Sequence, residues 1–283
     1  MIADVIVDLQ RGDSGKGKVS YNLAKKPEYT HVVRFNGGPN AGHTIYHEGK
    51  KYVTHHIPAG VFHDKLSLIG SGCVIRIETL LEEIEELEKK GVNAFDNLRI
   101  AHNVHIITDE HMEEDSKDTK IGTTKRGIGP CYKSKVARTG IRAEDINEPW
   151  LRSRLVDCID ELNQPENAIL FEGAQGFYLD VDHGEYPYVT SSNTGVAAAI
   201  NTGIPPQTIR SVYGVAKIYE TYVGAKKFQP NDNRFKELQK LGEEFGATTG
   251  RARQCNFLNL TELIRAVKVS GVTELIFNKV DVI

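Results

Sequence analysis

Residues 12–18 read Gly12-Asp13-Ser14-Gly15-Lys16-Gly17-Lys18, and they follow the β-branched apolar run of residues 4–9. The stretch after them has helical character, so the order is strand, glycine-rich turn, helix. The turn fits G-x-x-x-x-G-K, with Gly12, Gly17 and Lys18 in register. Backbone N–H groups at such a helix start, together with lysines, form a cradle for anions. The next residue is Val19, where loops of this type carry a Ser or Thr hydroxyl for Mg²⁺. Either no ion is held there, or another oxygen, foremost that of Asp13, takes its place. A solvated glycine turn is the plainer reading, and its position directly after an N-terminal strand favours phosphate.

Working outward, residues 31–35, 66–69, 168–171, 211–218 and 274–277 also read as strands. Helical patterns lie between them. The clearest spans residues 78–90, with Leu80, Leu81, Ile84 and Leu87 on one face, and another spans residues 260–269. Strands apolar throughout and alternating with helices predict an α/β fold: a mostly parallel central sheet with helices on both faces. Ligands then bind in loops beyond the C-terminal ends of strands. Residues 107–120 and 147–167 read as peripheral excursions, and the whole of 1–283 as one domain.

Composition sets the outer bounds. The chain has 283 residues with a formal net charge of −3, which excludes a broad electrostatic grip on nucleic acid. No apolar run approaches a membrane span, and the N-terminus lacks the basic region of a signal peptide. Cys73, Cys131, Cys158 and Cys255 are too far apart for a C-x-x-C pair and read as reduced thiols of a cytoplasmic protein. The 26 glycines are unevenly spread, gathering in five loops placed after strands.

Two more of these segments carry chemistry. Residues 36–44, Asn36-Gly37-Gly38-Pro39-Asn40-Ala41-Gly42-His43-Thr44, set one imidazole among small residues that give it nothing to pack against. A histidine donating to phosphate oxygens suits phosphoryl transfer, where positioned positive charge is most of the catalysis. The chain's last six residues, Asn278-Lys279-Val280-Asp281-Val282-Ile283, follow a strand and match N-K-x-D, similar to the guanine-reading element of GTPases. Four letters read equally well as a strand-end turn. A nucleotide-binding regulatory switch is the alternative from another class. It is disfavoured by Val19 and by the lack of any D-x-x-G in the sequence.

Taken together, G-D-x-G-K-G-K, N-A-G-H-T, G-T-T-x-R-G-I-G-P with K-V-A-R, F-E-G-A-Q-G, D-H-G-x-Y-P-Y-V-T-S-S-N-T, F-G-A-T-T-G-R-x-R and K-x-D occur in the order of the adenylosuccinate synthetase family, which the chain resembles from Val7 to Asp281. The resemblance implies a ligase that joins aspartate to C6 of a 6-oxopurine nucleoside monophosphate at the expense of a nucleoside triphosphate and Mg²⁺. It implies Asp13 as the base that takes the N1 proton, with His43 and Lys16 stabilising the transferring phosphoryl. Gly12, Ser14, Gly15, Lys16, Gly17, Lys18, Lys279 and Asp281 would hold the triphosphate nucleotide, and Asp13 and Gly42 the metal. Asn40, Thr124, Gln175, Thr190 and Arg251 match positions that hold the monophosphate. Arg138 matches an arginine that reaches across a homodimer interface to its 5′-phosphate. Thr248, Thr249, Arg251 and Arg253 resemble the loop that closes on aspartate; paired guanidiniums suit a dicarboxylate.

Five features depart from the family. Its W-G-D-E-G reads Arg11-Gly12-Asp13-Ser14-Gly15, which changes the tryptophan and the glutamate; Ala252 stands where bacterial members carry another arginine; and residues 142–172 form a shortened span. The family also continues past the position of Ile283 through a region that helps enclose the guanine. A rewritten first loop in a compact chain resembles the viral branch, which acts on dGMP in the host cytoplasm on the way to 2-aminoadenine, although that branch loses the aspartate kept here as Asp13. IMP and dGMP both remain open as acceptor, with Arg251 leaning towards a ribonucleotide. GTP, ATP and dATP remain open as donor.

Overall fold

The six runs and two further segments build one sheet, numbered in chain order: β1 (Ile2–Asp8), β2 (His31–Arg34), β3 (Leu66–Ile69), β4 (Leu98–Ala101), β5 (Leu155–Val156), β6 (Ala168–Glu172), β7 (Ile209–Lys217) and β8 (Glu274–Asn278), with β4 and β5 the two that the sequence reading lacked. The computed structural model describes residues 1–246 and 250–282. Its sheet has the order β8-β7-β1-β6-β2-β3-β4-β5, every neighbouring pair parallel. The chain moves away from β1 to one side through β2–β5, returns to insert β6 beside β1, then builds β7 and β8 on the other side. Loops leaving β1, β2, β6 and β7 therefore diverge around one crevice, where open α/β sheets take their ligands.

Side-chain alternation buries both faces of the sheet. Ala3, Val5 and Val7 of β1 pack with Val33 and Phe171 on one face, against Leu80, Ile84 and Leu87 of helix α2 (Ile77–Lys89). The same face takes Leu263 and Ala266 from the helix Leu260–Ser270. On the other face Ile6, Val32, Leu170 and Val215 pack against Val19 and Ala24, which belong to helix α1 (Lys16–Ala24). The helical ends follow local chemistry. Helix α2 carries Glu78 in its first turn and Lys89 in its last, matching its dipole. The helix Leu260–Ser270 is capped by the Asn259 side chain and stopped by left-handed Gly271.

The strand and helix expectations hold to within two residues at each end, and the α/β class with them. Residues 147–167 are corrected: they supply edge strand β5 and place Leu151, Cys158 and Leu162 in the core. Their elements are only two to five residues long, too short to show a period. Residues 107–120 instead carry the helix Asp109–Ser116 outside the sheet. All four cysteines are buried free thiols. Among the described residues no helix is long and apolar enough to cross a membrane.

Phe171 is fully buried at the middle of the sheet. Phe171→Ala is expected to cost about 3–5 kcal/mol in denaturant unfolding. The exposed edge-strand change Leu275→Ala is expected to stay within about 0.5 kcal/mol.

Candidate active site

On the α1 face, four neighbouring strands finish alike. Val215, Ile6, Leu170 and Val32 are each followed two positions later by a buried ionisable group, Lys217, Asp8, Glu172 and Arg34, the last residue of its strand. A charge taken out of water must be compensated by specific partners, and each of these groups recruits part of the crevice. Asp8 accepts from the N–H of Gln10 at 2.9 Å and of Ser14 at 3.1 Å, and from Lys16 Nζ at 3.1 Å. Lys16 also donates to the backbone oxygen of Gln175. The loop after β1 is thus folded around an internal carboxylate.

Glu172 and Arg34 face each other in register across β6 and β2. Arg34 Nε and Nη2 lie 2.9 and 2.7 Å from Glu172 Oε1. The second carboxylate oxygen takes the Ser20 hydroxyl of α1 and the Ala59 N–H at 3.2 Å. Burial alone would raise the Glu172 carboxyl, but Arg34, His43 and Ser20 outweigh it and hold it well below the usual carboxylate range. His43 Nδ1 is 3.1 Å from Arg34 Nη2 and 3.5 Å from Glu172 Oε1. Burial and the Arg34 charge push the imidazole below its ordinary pKa, with Glu172 pulling the other way. Gly17 is what lets His43 lie over the first turn of α1: a Cβ there would stand 2.7 Å from the His43 Cβ.

The remaining first-loop residues divide by direction. Gly12, Asp13 and Gly15 have φ of 80°, 58° and 97°, and the room beside Gly15 is taken by Asn278. Asn278 donates to Ser14 O at 2.7 Å, so the end of β8 is clamped to the loop. Ser14 is buried with its hydroxyl 3.1 Å from Gln10 Oε1, turned into the loop's own interior. Asp13 and Lys18 are exposed. Lys279 Nζ donates to Gly242 O at 2.8 Å, and Asp281 is exposed.

Asp13 Oδ2 accepts from Arg253 Nε at 2.8 Å, which joins the first loop to the segment expected to close on aspartate. Arg253 also holds Glu244 at 2.7 Å, and Glu244 takes Lys217 Nζ at 2.8 Å on both oxygens and Tyr219 OH at 2.6 Å. Asp13 and Glu244 raise the Arg253 pKa against the effect of burial. Arg251 Nη1 lies 3.4 Å from Gly122 O. Thr248 and Thr249 lie outside the described residues.

Asn36 ties the loop after β2 to that after β6, accepting from Ala174 N at 2.8 Å and donating to Ala174 O at 3.2 Å. Next in line, Gln175 is left-handed at φ 57°, and its buried side-chain Oε1 has no hydrogen-bond partner, a feature that calls for a ligand. Asn40 accepts from Gly38 N at 3.2 Å, and Gly42 leads directly into His43 at the start of the hairpin strand His43–His47. Thr190 N donates to Leu179 O at 2.7 Å. Thr124 is exposed, as is Arg138, left-handed at the end of the helix Ile128–Ala137. Among the described residues neither makes a hydrogen bond to the groups gathered around Asp13.

Asp8, Arg34, Glu172, Lys217 and Glu244 escape the sequence reading. For the first four the available signal was an ionisable residue closing an apolar strand; Glu244 lies outside the strands and offered no such signal. Arg11 is buried where the resembled family has tryptophan. Its guanidinium lies 4.9 Å from the ring centroids of Tyr178 and Phe228, bonded to Glu220 and to Glu185 and Glu262 at 2.7 and 2.8 Å. The two rings and the three acids together compensate the buried guanidinium. Asp182 is held by Asn193 at 2.6 Å and His183 stacks on Phe177.

A sequence model of the adenylosuccinate synthetase family matches residues 5–164 and 150–283. Adenylosuccinate synthetases of Thermodesulfovibrio yellowstonii and Heliobacterium modesticaldum are 41% and 40% identical, matching 99% and 100% of this chain and 77% and 78% of theirs. The structure of fully ligated adenylosuccinate synthetase from Plasmodium falciparum superposes with a TM-score of 0.91 at 35% identity, covering 99% of this chain and 77% of that one. Cyanophage S-2L succinoaminodeoxyadenylate synthetase, bound to dGMP and dATP, shares the fold with a TM-score of 0.81 at 24% identity, over 98% of this chain and 84% of that one.

Glu172→Gln leaves the Arg34 charge buried without its partner and is expected to cost about 3–5 kcal/mol at neutral pH. Because the folded-state pKa of Glu172 is depressed, its contribution is present above the unfolded carboxylate pKa and lost as pH falls through the folded value. Urea unfolding between pH 7 and pH 3 should therefore show a steeper acid loss in the parent than in the variant.

Proposed function

The chain belongs to the adenylosuccinate synthetase family of ligases, and from that premise we propose that it joins L-aspartate to C6 of a 6-oxopurine nucleoside monophosphate, IMP or dGMP. The 6-oxo group leaves poorly, so O6 is first phosphorylated by the triphosphate. Asp13 takes the N1 proton, which gives O6 the charge to attack the γ-phosphorus. His43 and Lys16 stabilise charge on the transferring phosphoryl. The aspartate amine then displaces phosphate from C6. The observation that carries this reading is the Asp13–Arg253 pair at 2.8 Å, which sets the base of the first step beside the guanidinium assigned to the amine donor of the second.

The donor set suits Mg²⁺, because the Asp13 carboxylate and the Gly42 carbonyl are hard oxygen ligands. Among the described residues no three His, Cys, Asp or Glu side chains are grouped to hold a metal, so phosphate and water oxygens would supply its other ligands. Bound there, the ion neutralises phosphate charge. The buried, unpartnered Gln175 Oε1 supports a place for Gln175 in holding the monophosphate; the same role is proposed for Asn40, Thr124, Thr190 and Arg251, with Arg138 reaching a partner subunit's site in a homodimer. The triphosphate lies along Gly12–Lys18, its base towards Lys279 and Asp281; GTP is the expected donor. Ser14 is turned inward, and its neutrality leaves the purine site without an acid at that position. The regulatory-switch alternative is not favoured.

Phosphate release is expected to require aspartate and a purine monophosphate together. Four reactions pairing IMP or dGMP with GTP or ATP identify both substrates; release without aspartate would sink the ligase reading. Asp13→Asn should lower kcat on the order of 10²–10⁴-fold.

A further inference from the structure

We infer that Arg34 and Glu172 are positioning residues that fix His43 as the tautomer carrying its proton on Nε2. This rests on the reading of His43 as the group that stabilises the transferring phosphoryl. Arg34 is 2% exposed and Glu172 is 0% exposed, so neither is reached by substrate. They act through the imidazole behind which they sit.

A guanidinium has donors only. Its contact with His43 Nδ1 at 3.1 Å is therefore a hydrogen bond only if Nδ1 offers a lone pair, which puts the ring proton on Nε2. The competing arrangement would have Nδ1–H donate to Glu172 Oε1. That oxygen is 3.5 Å away, beyond the ordinary range for an N–H donor to a carboxylate, and it is already occupied by Arg34 Nε and Nη2. Glu172 instead orients the guanidinium, and its other oxygen is anchored to Ser20 of α1 and to Ala59 N. His43 Nε2 makes no hydrogen bond among the described residues and is not one of the closed-off buried polar atoms, so its proton is left for a ligand. The result is a neutral donor held over the first turn of α1, which needs no proton rearrangement as phosphoryl charge develops.

Long-range ¹H–¹⁵N spectra of the free protein, with His43→Gln assigning the signal, read the tautomer directly. The expected pattern is a neutral ring protonated at Nε2. A ring protonated at Nδ1 in the parent protein would overturn the proposal, with no variant needed. In Arg34→Leu the pattern should collapse to a tautomer mixture, and Arg34→Lys, which keeps a donor, should partly restore it; an unchanged pattern in a folded Arg34→Leu would also overturn it. In turnover, Arg34→Leu should lower kcat on the order of 10²-fold, with KM for either nucleotide changed less than about 3-fold. Absence of ligase turnover in the parent protein would defeat the proposed function while leaving the tautomer measurement to stand or fall by itself.

Discussion

The ion pair between Arg34 and Glu172 is the constraint on which the crevice depends. It joins β2 to β6 at the point where β6 is inserted beside β1, and it reaches α1 through Ser20 and the Ala59 segment through its backbone N–H. Two fully buried charges are tolerated because Arg34, the Ser20 hydroxyl and the Ala59 N–H all donate to the carboxylate. The pair adds little net stability over an apolar isostere, but it costs much when broken, so the strands, the helix and His43 are held in one arrangement.

Asp8 and Lys217 repeat the device on β1 and β7. Asp8 gathers the first loop from the inside, and Lys217 anchors Glu244, from which Arg253 extends to Asp13. The site is thus built from strand ends, which are rigid, while the groups assigned to chemistry stand one step further out on loops that those ends support. The close approach of His43 to Gly17 and of Asn278 to Gly15 shows why the glycines fall where they do: they clear space for neighbouring parts of the site.

Much of this was legible from residue order alone. Six strands of the central sheet stand out because parallel strands buried on both faces are mostly apolar, and the long helix α2 because its apolar face repeats cleanly. The loops could be named because glycine, lysine and histidine cluster in them. What could not be read is long-range pairing. Arg34 looks like a strand-end charge destined for solvent until Glu172, far away in sequence, is brought beside it. Strands β4 and β5 are not legible: four residues interrupted by Arg99, and two residues alone, carry no clear period. Arg11 read as a departure at a tryptophan position; only the fold supplies the three acids that surround it.

The central claim is that the first loop and His43 serve phosphorylation of O6, so that the oxygen leaving C6 departs as phosphate. The direct measurement is the fate of ¹⁸O placed at C6 of the purine monophosphate during turnover with aspartate and the triphosphate. The account predicts the label in inorganic phosphate, one atom for each ligation. Label released into water, with unlabelled phosphate formed at the same rate, would contradict it.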